Sequence, residues 1–137
     1  MGIERFIEAQ ERDYKTALEE VRSGQKRTHW IWYIFPQIYG LGHSYYANLY
    51  GIRDRQEAEE YLNDKILGKR LREVTSALLV HGGTSVKEIF GELDAMKVRS
   101  SMTLFDAVCP NDMFAEVLEK FYNGERCGIT IAKLNEI

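Results

Sequence analysis

The sequence predicts an all-α protein, a compact multihelical single domain of about seven short helices spanning residues 1–137. Three observations carry that expectation. Apolar residues recur at helical steps of three, four and seven in several separate stretches. Ser or Asp precedes Glu by three residues at two helix starts, the pattern of a capping box. Glycines fall where the periodic stretches run out, and no Pro- or Ser-rich linker or fixed repeat divides the chain.

Ile7, Tyr14, Leu18 and Val21 share one face of a first helix from about residue 4 to 22, which Gly24 stops. Residues 29–35 are almost continuously apolar and aromatic, so periodicity alone does not choose between strand and helix. Thr28 as a cap and Pro36 as a terminator favour a short helix there. Residues 37–43, with Gly40 and Gly42, read as a loop. Ser44 caps the two turns YYANLY, and Gly51 closes them. Asp54 with Glu57 opens a helix that buries Ala58, Tyr61 and Leu62. Leu67, Leu71, Val74 and Leu78 define a longer helix ending at Gly82-Gly83. Ser85 with Glu88 opens another, which carries Val86, Ile89 and Phe90 and stops at Gly91. Asp94 is then expected to cap a helix running through Val108, with Pro110 beyond its end. Phe114, Val117, Leu118 and Phe121 form the face of the next helix, closed by Gly124. The tail GITIAKLNEI fits either a terminal turn of helix or an extended arm.

Composition limits the partners. Eighteen basic against 21 acidic residues give a net charge of −3, without the cationic excess that binding to nucleic-acid phosphates requires. The longest apolar run, residues 30–35, is far short of the ~20 residues of a membrane-spanning helix. The N-terminus has no signal-peptide pattern, and Phe6 stands where a myristoylation motif carries Ser or Thr. The expectation is a cytoplasmic protein, a monomer or weak homodimer, with reduced thiols. Cys109 and Cys127 form no CxxC pair and His29, His43 and His81 are scattered, so neither a metal nor a cofactor is implied. Cys109 has no basic or imidazole neighbour in sequence and reads as an inert thiol.

The strings RFIEAQ, HWIWYIFPQIYGLGHS, ILGKRL, EIFG and KVRSSMTLF, in this order, resemble the bacterial domain of unknown function 1810 family. The similarity runs from about residue 5 to 124, with Tyr33 where Phe is commoner and Val98 where Leu is. The resemblance implies an all-helical single domain and no assigned activity. The order of an aromatic motif, an LL-containing helix and a G-x-x-D turn is also faintly similar to the helical NADAR glycosidases.

Two segments carry residue types that a helical core does not need. In HWIWYIFPQ, an indole beside an amide suits a nucleobase or nicotinamide ring, with Trp30 stacking on it and Gln37 hydrogen-bonding its edge. The alternative, favoured for Trp32 and Phe35, is that the tryptophans and Phe35 fill the core with their indole N–H groups on backbone carbonyls. In DAMKVRSSMTLF, Lys97, Ser100, Ser101 and Leu104 share a stripe. Lys97 in the first turn would oppose the helix dipole unless a bound phosphate, held with Ser100 and Ser101, sat beside it. Against that stands a plain Asp94–Lys97 ion pair with small serines easing helix packing. His29, the side chain there whose ordinary pKa lies near neutrality, is the candidate general acid or base. The leading expectation is a site for a small anionic ligand, nucleotide or NAD-derived, with hydrolase or glycosidase chemistry as its enzymatic form. The competing expectation is a non-enzymatic interaction module that uses the aromatic 29–37 segment as its surface.

Overall fold

The computed structural model describes residues 2–136. Among them lie nine helices: α1 Glu4–Ser23, α2 Ile31–Ile34, α3 Tyr45–Tyr50, α4 Arg55–Asn63, α5 Leu67–Leu79, α6 Val86–Phe90, α7 Glu92–Val108, α8 Met113–Tyr122 and α9 Gly128–Asn135. None of the described residues forms a strand. One isolated parallel bridge joins Ile38 to Ile52, with Tyr39 N–H on Ile52 O at 2.8 Å and Ile52 N–H on Gln37 O at 2.9 Å. The fold class is as expected, with more and shorter helices than about seven. The tail, left open by its sequence, is α9.

Three expected caps are present. Ser44 Oγ accepts from Ala47 N at 3.1 Å, Asp54 Oδ1 from Glu57 N at 2.9 Å, and Ser85 Oγ from Glu88 N at 3.2 Å. Gly24 ends α1 at φ +79°, a conformation open to glycine because it lacks a Cβ. Two expectations are corrected. Thr28 does not cap α2, whose N-cap is Trp30; its hydroxyl donates to Glu20 instead. Asp94 does not cap α7, which starts at Glu92 directly after Gly91. The Asp94 carboxylate is drawn sideways to Lys26 at 2.9 Å and Lys97 at 3.2 Å.

The core forms around α7. Six consecutive residues, Ser100 to Phe105, are buried, so this helix is covered on all sides there. It packs against α8, α6, α4, α9 and α2, while α5 packs against α1, α8 and α4. A chain of rings ties these layers: Phe6 to Tyr61 edge-on at 5.1 Å, Tyr61 to Phe105 at 5.4 Å, and Phe105 to Phe114 at 5.8 Å.

Buried polar groups lock the periphery to this core. Arg5 on α1 forks onto Glu57 on α4 at 2.9 and 3.2 Å and also donates to the carbonyls of Leu49 and Gly51. Glu20 accepts from Arg27 N, Thr28 N, Thr28 Oγ1 and Trp30 Nε1, all within 3.0 Å. These bonds fold the chain after α1 back over its last turn and fix where α2 begins. Gly68 opens α5 so close to α4 that an added Cβ would meet Leu62 O at 2.1 Å.

Candidate functional site

The residues singled out in the sequence divide between the core and two cavities. Gln37 and Gly42 from the loop after α2, Lys97 and Ser100 from α7, and Cys127 at the head of α9 line one cavity of ≈ 310 Å³. Leu41, Leu93, Met96, Arg99 and Ile129 complete its wall. The loop closes down on this cleft because Gly42 has no side chain: a Cβ there would press on Ala47 Cβ at 2.9 Å.

Trp30 and Ser101 are not in the cleft. Trp30 is buried between Phe35 and Phe90, with its indole N–H held by the Glu20 carboxylate at 2.9 Å. The core role is therefore the right one for Trp30, with a carboxylate in place of a backbone carbonyl. Ser101 is turned about 100° round the helix from Ser100 and is fully buried. Its hydroxyl has no hydrogen-bond partner among the described residues. Lys97 sits in the second turn of α7, so the free N–H groups of the helix start do not converge with it.

His29 is exposed and lines a separate cavity of ≈ 570 Å³ with Arg12, Trp32, Tyr33 and Tyr46. Trp32 joins the two regions. Its ring lies 5.0 Å from that of Tyr46, and Lys97 Nζ is 5.4 Å from its centroid. It is the tryptophan with an accessible face, because α2 is a single turn that sends Ile31, Tyr33 and Ile34 inward. Trp30, Tyr33, Ile34 and Phe35 are buried, so Trp32 is the accessible aromatic ring of residues 30–35. The large exposed aromatics nearby are Tyr39, Tyr45 and Tyr46 instead.

The cleft has an uneven balance of charge. Lys26 and Lys97 share the single carboxylate of Asp94. Arg99 has Glu125 at 3.8 Å, but that carboxylate is 72% exposed and screened by water. Arg99 Nε is buried and has no hydrogen-bond partner among the described residues. The Gln37 side chain is half-buried in this wall, where its amide offers two donors and an acceptor. Ser100 Oγ lies 3.2 Å from Met96 O and 3.5 Å from Cys127 Sγ. Leu93, Met96 and Ile129 stand at the mouth with more than half of each side exposed, at 74%, 55% and 61%.

Arg99 and Cys127 were not foreseen. Arg99 lies inside the KVRSS string and could have been found by turning the helix two residues beyond Lys97. Cys127 belongs to the tail, whose sequence gives no firm element to place it on. The two thiols are free, with no bond between Cys109 and Cys127. Among the described residues no group of three or more His, Cys, Asp or Glu is arranged to hold a metal ion. No helix among them is long and apolar enough to cross a membrane.

Comparison with known proteins gives a family but no activity. A family model described as a protein of unknown function (DUF1810) matches residues 1–134. No curated protein matches. Among solved structures, the chain is similar to the conserved hypothetical protein Rv1873 from Mycobacterium tuberculosis, whose crystal structure extends to 1.38 Å. The two are 43% identical, the match covers 97% of this chain and 96% of that one, and the TM-score is 0.94.

Proposed function

Because the chain belongs to the DUF1810 family, whose description assigns no activity, we propose from geometry alone that the cleft between residues 37–42, α7 and the head of α9 binds a small anionic molecule with an apolar or planar body. The observation that supports this most is the meeting of Gln37 with Lys97 and Ser100, from segments far apart in sequence, in one cavity. A cavity near 300 Å³ lies at the small end of the range for ligand sites, which are mostly apolar with a few placed polar groups. Lys97 and Arg99 would receive a phosphate or carboxylate, and Gln37 would bond the edge of the ring. Leu93, Met96 and Ile129 would cover its face, the role first expected of Trp30. A nucleotide or an NAD-derived fragment has this combination of ring and charge. His29, across Trp32, has no part in binding on this reading.

Inorganic phosphate is the simplest probe. Excluded anions strengthen folding without limit as concentration rises, whereas a bound anion gives a saturating gain. The melting temperature should rise and level off, with a gain of about 2.7 kcal/mol at 100 times Kd. Lys97→Met and Arg99→Met should each remove the saturating part and leave the helical circular dichroism unchanged. A response that never saturates, or one that survives both substitutions, rejects the cleft as an anion site.

A further inference from the structure

The cavity beyond Trp32 has a wall that the cleft does not use. Trp32 and Tyr46 line it together with Arg12 and His29. Tyr46 is 47% exposed and its neighbour Tyr45 74%. These rings are held in place rather than loose. Tyr46 lies 5.0 Å from Trp32 and 5.4 Å from Tyr45, and it stacks on Tyr50 at 6.3 Å and 19°. The Ser44 cap fixes the turn that carries both tyrosines. Adjacent aromatic rings left in contact with water mark a surface that something covers.

Lys97 stands between this cavity and the cleft. It lines the cleft, of ≈ 310 Å³, and its Nζ is 5.4 Å from the centre of the Trp32 ring that bounds the larger cavity, of ≈ 570 Å³. Helix α3 serves both sides as well, since Tyr46 lines the larger cavity while Ala47 lies against Gly42 in the wall of the cleft. At this boundary two ammonium groups, Lys26 and Lys97, have one carboxylate between them, so positive charge is left over. The order along the surface is therefore an apolar cavity with an amide, then a cation, then an aromatic wall.

We propose that the cleft and the cavity beyond Trp32 are two subsites for one ligand, a dinucleotide whose diphosphate lies at Lys97 and whose second base stacks on Tyr46 and Trp32. This rests on the reading of the cleft as an anion site and extends it from one ring to two. Lys97 and Arg99 match the two phosphates, and Gln37 bonds the edge of the first base. The exposed Arg12 and His29 side chains offer donors to the ribose of the second nucleoside. An aromatic wall accepts any base, because every base has a π-face, so the second subsite tolerates either head of an unsymmetrical dinucleotide. The net charge of −3 argues against a polyanionic strand as the occupant.

Calorimetric titration with ADP, NAD and diadenosine diphosphate isolates the second ring. ADP carries the same diphosphate with more negative charge, so a preference for the dinucleotides does not come from charge. Both should bind about 5-fold or more tightly than ADP, the lower bound for one base stacked on an aromatic side chain. Tyr46→Ala, with helix content retained, should bring them down to the affinity of ADP, whereas Lys97→Met should weaken all three. In the unsubstituted chain the dinucleotides should quench indole fluorescence more than ADP does, and the extra quenching should be absent from Trp32→Phe, which keeps the buried Trp30. If inorganic phosphate stabilises the chain saturably but neither dinucleotide exceeds ADP, the second subsite is overturned and the anion cleft stands. A dinucleotide advantage that survives Tyr46→Ala also overturns it. A single-stranded oligonucleotide that binds more tightly than either dinucleotide overturns the ligand class. If phosphate gives no saturating response and none of the three nucleotides binds, the reading of the cleft has failed and this proposal with it.

Discussion

Glu20 carries a charge where charges are costly, and four donors compensate it. Burial raises its pKa, but the N–H groups of Arg27 and Thr28, the Trp30 indole and the Thr28 hydroxyl bring it down to about 2. The sign follows from the depressed folded value. The stabilisation is complete above the unfolded carboxylate pKa of about 4.3 and is lost as pH falls through about 2. Urea unfolding of the native chain should therefore lose stability steadily over that window. Glu20→Gln should be less stable at neutral pH by about 2 kcal/mol and should fall less steeply in acid, because the charge-assisted bonds are gone. Equal slopes for the two proteins would show that some other carboxylate governs the acid limb. Glu20 also explains an error of reading. Nothing near Trp30 in sequence says that a carboxylate ten residues earlier takes its N–H, so the sequence reading puts Trp30 on the ligand and Trp32 in the core, whereas Trp30 is the buried ring and Trp32 the more accessible one.

Helix starts were legible wherever the cap is a local event. Ser44, Asp54 and Ser85 each bind an N–H three residues on, so the chemistry lies within one turn of sequence. Asp94 has the same residue type but long-range partners, Lys26 above all, and these outbid a capping role that Gly91 makes unnecessary. The α4–α5 junction depends on a contact that no propensity scale contains. In an ordinary helix, Gly→Ala gains about 1 kcal/mol. At Gly68 the new Cβ would meet the Leu62 carbonyl oxygen at 2.1 Å, and backbone cannot swing away as a flexible side chain can. Overpacking of about 1–3 kcal/mol should outweigh the propensity gain. Gly68→Ala should lower the urea midpoint, and a raised midpoint would mean that the two helices separate freely.

At the scale of the molecule, the all-helical class was legible because periodicity and glycine stops agree along most of the chain. The cleft was half legible. Gln37, Lys97 and Ser100 stood out as polar residues without a core purpose, whereas Arg99 and Cys127 enter through packing of α7 against α9, which sequence spacing does not encode. The ring chain through α1, α4, α7 and α8 makes one continuous core, so unfolding should be cooperative. In a Trp32→Phe protein, the fluorescence of buried Trp30 should shift in urea together with the far-ultraviolet circular dichroism. An earlier fluorescence transition would mean that the α1–α2 corner opens on its own.

The bridge between Ile38 and Ile52 makes the intervening residues a ring in the topological sense, since the chain leaves and re-enters the interior at one point. Closing such a ring costs entropy that grows only with the logarithm of its contour, about 0.6 kcal/mol for each doubling. The interior is thus nearly indifferent to the length of that ring. Evolution is free to lengthen one wall of the cleft near His43, provided that Leu49 and Tyr50 keep their places against Arg5 and Phe6.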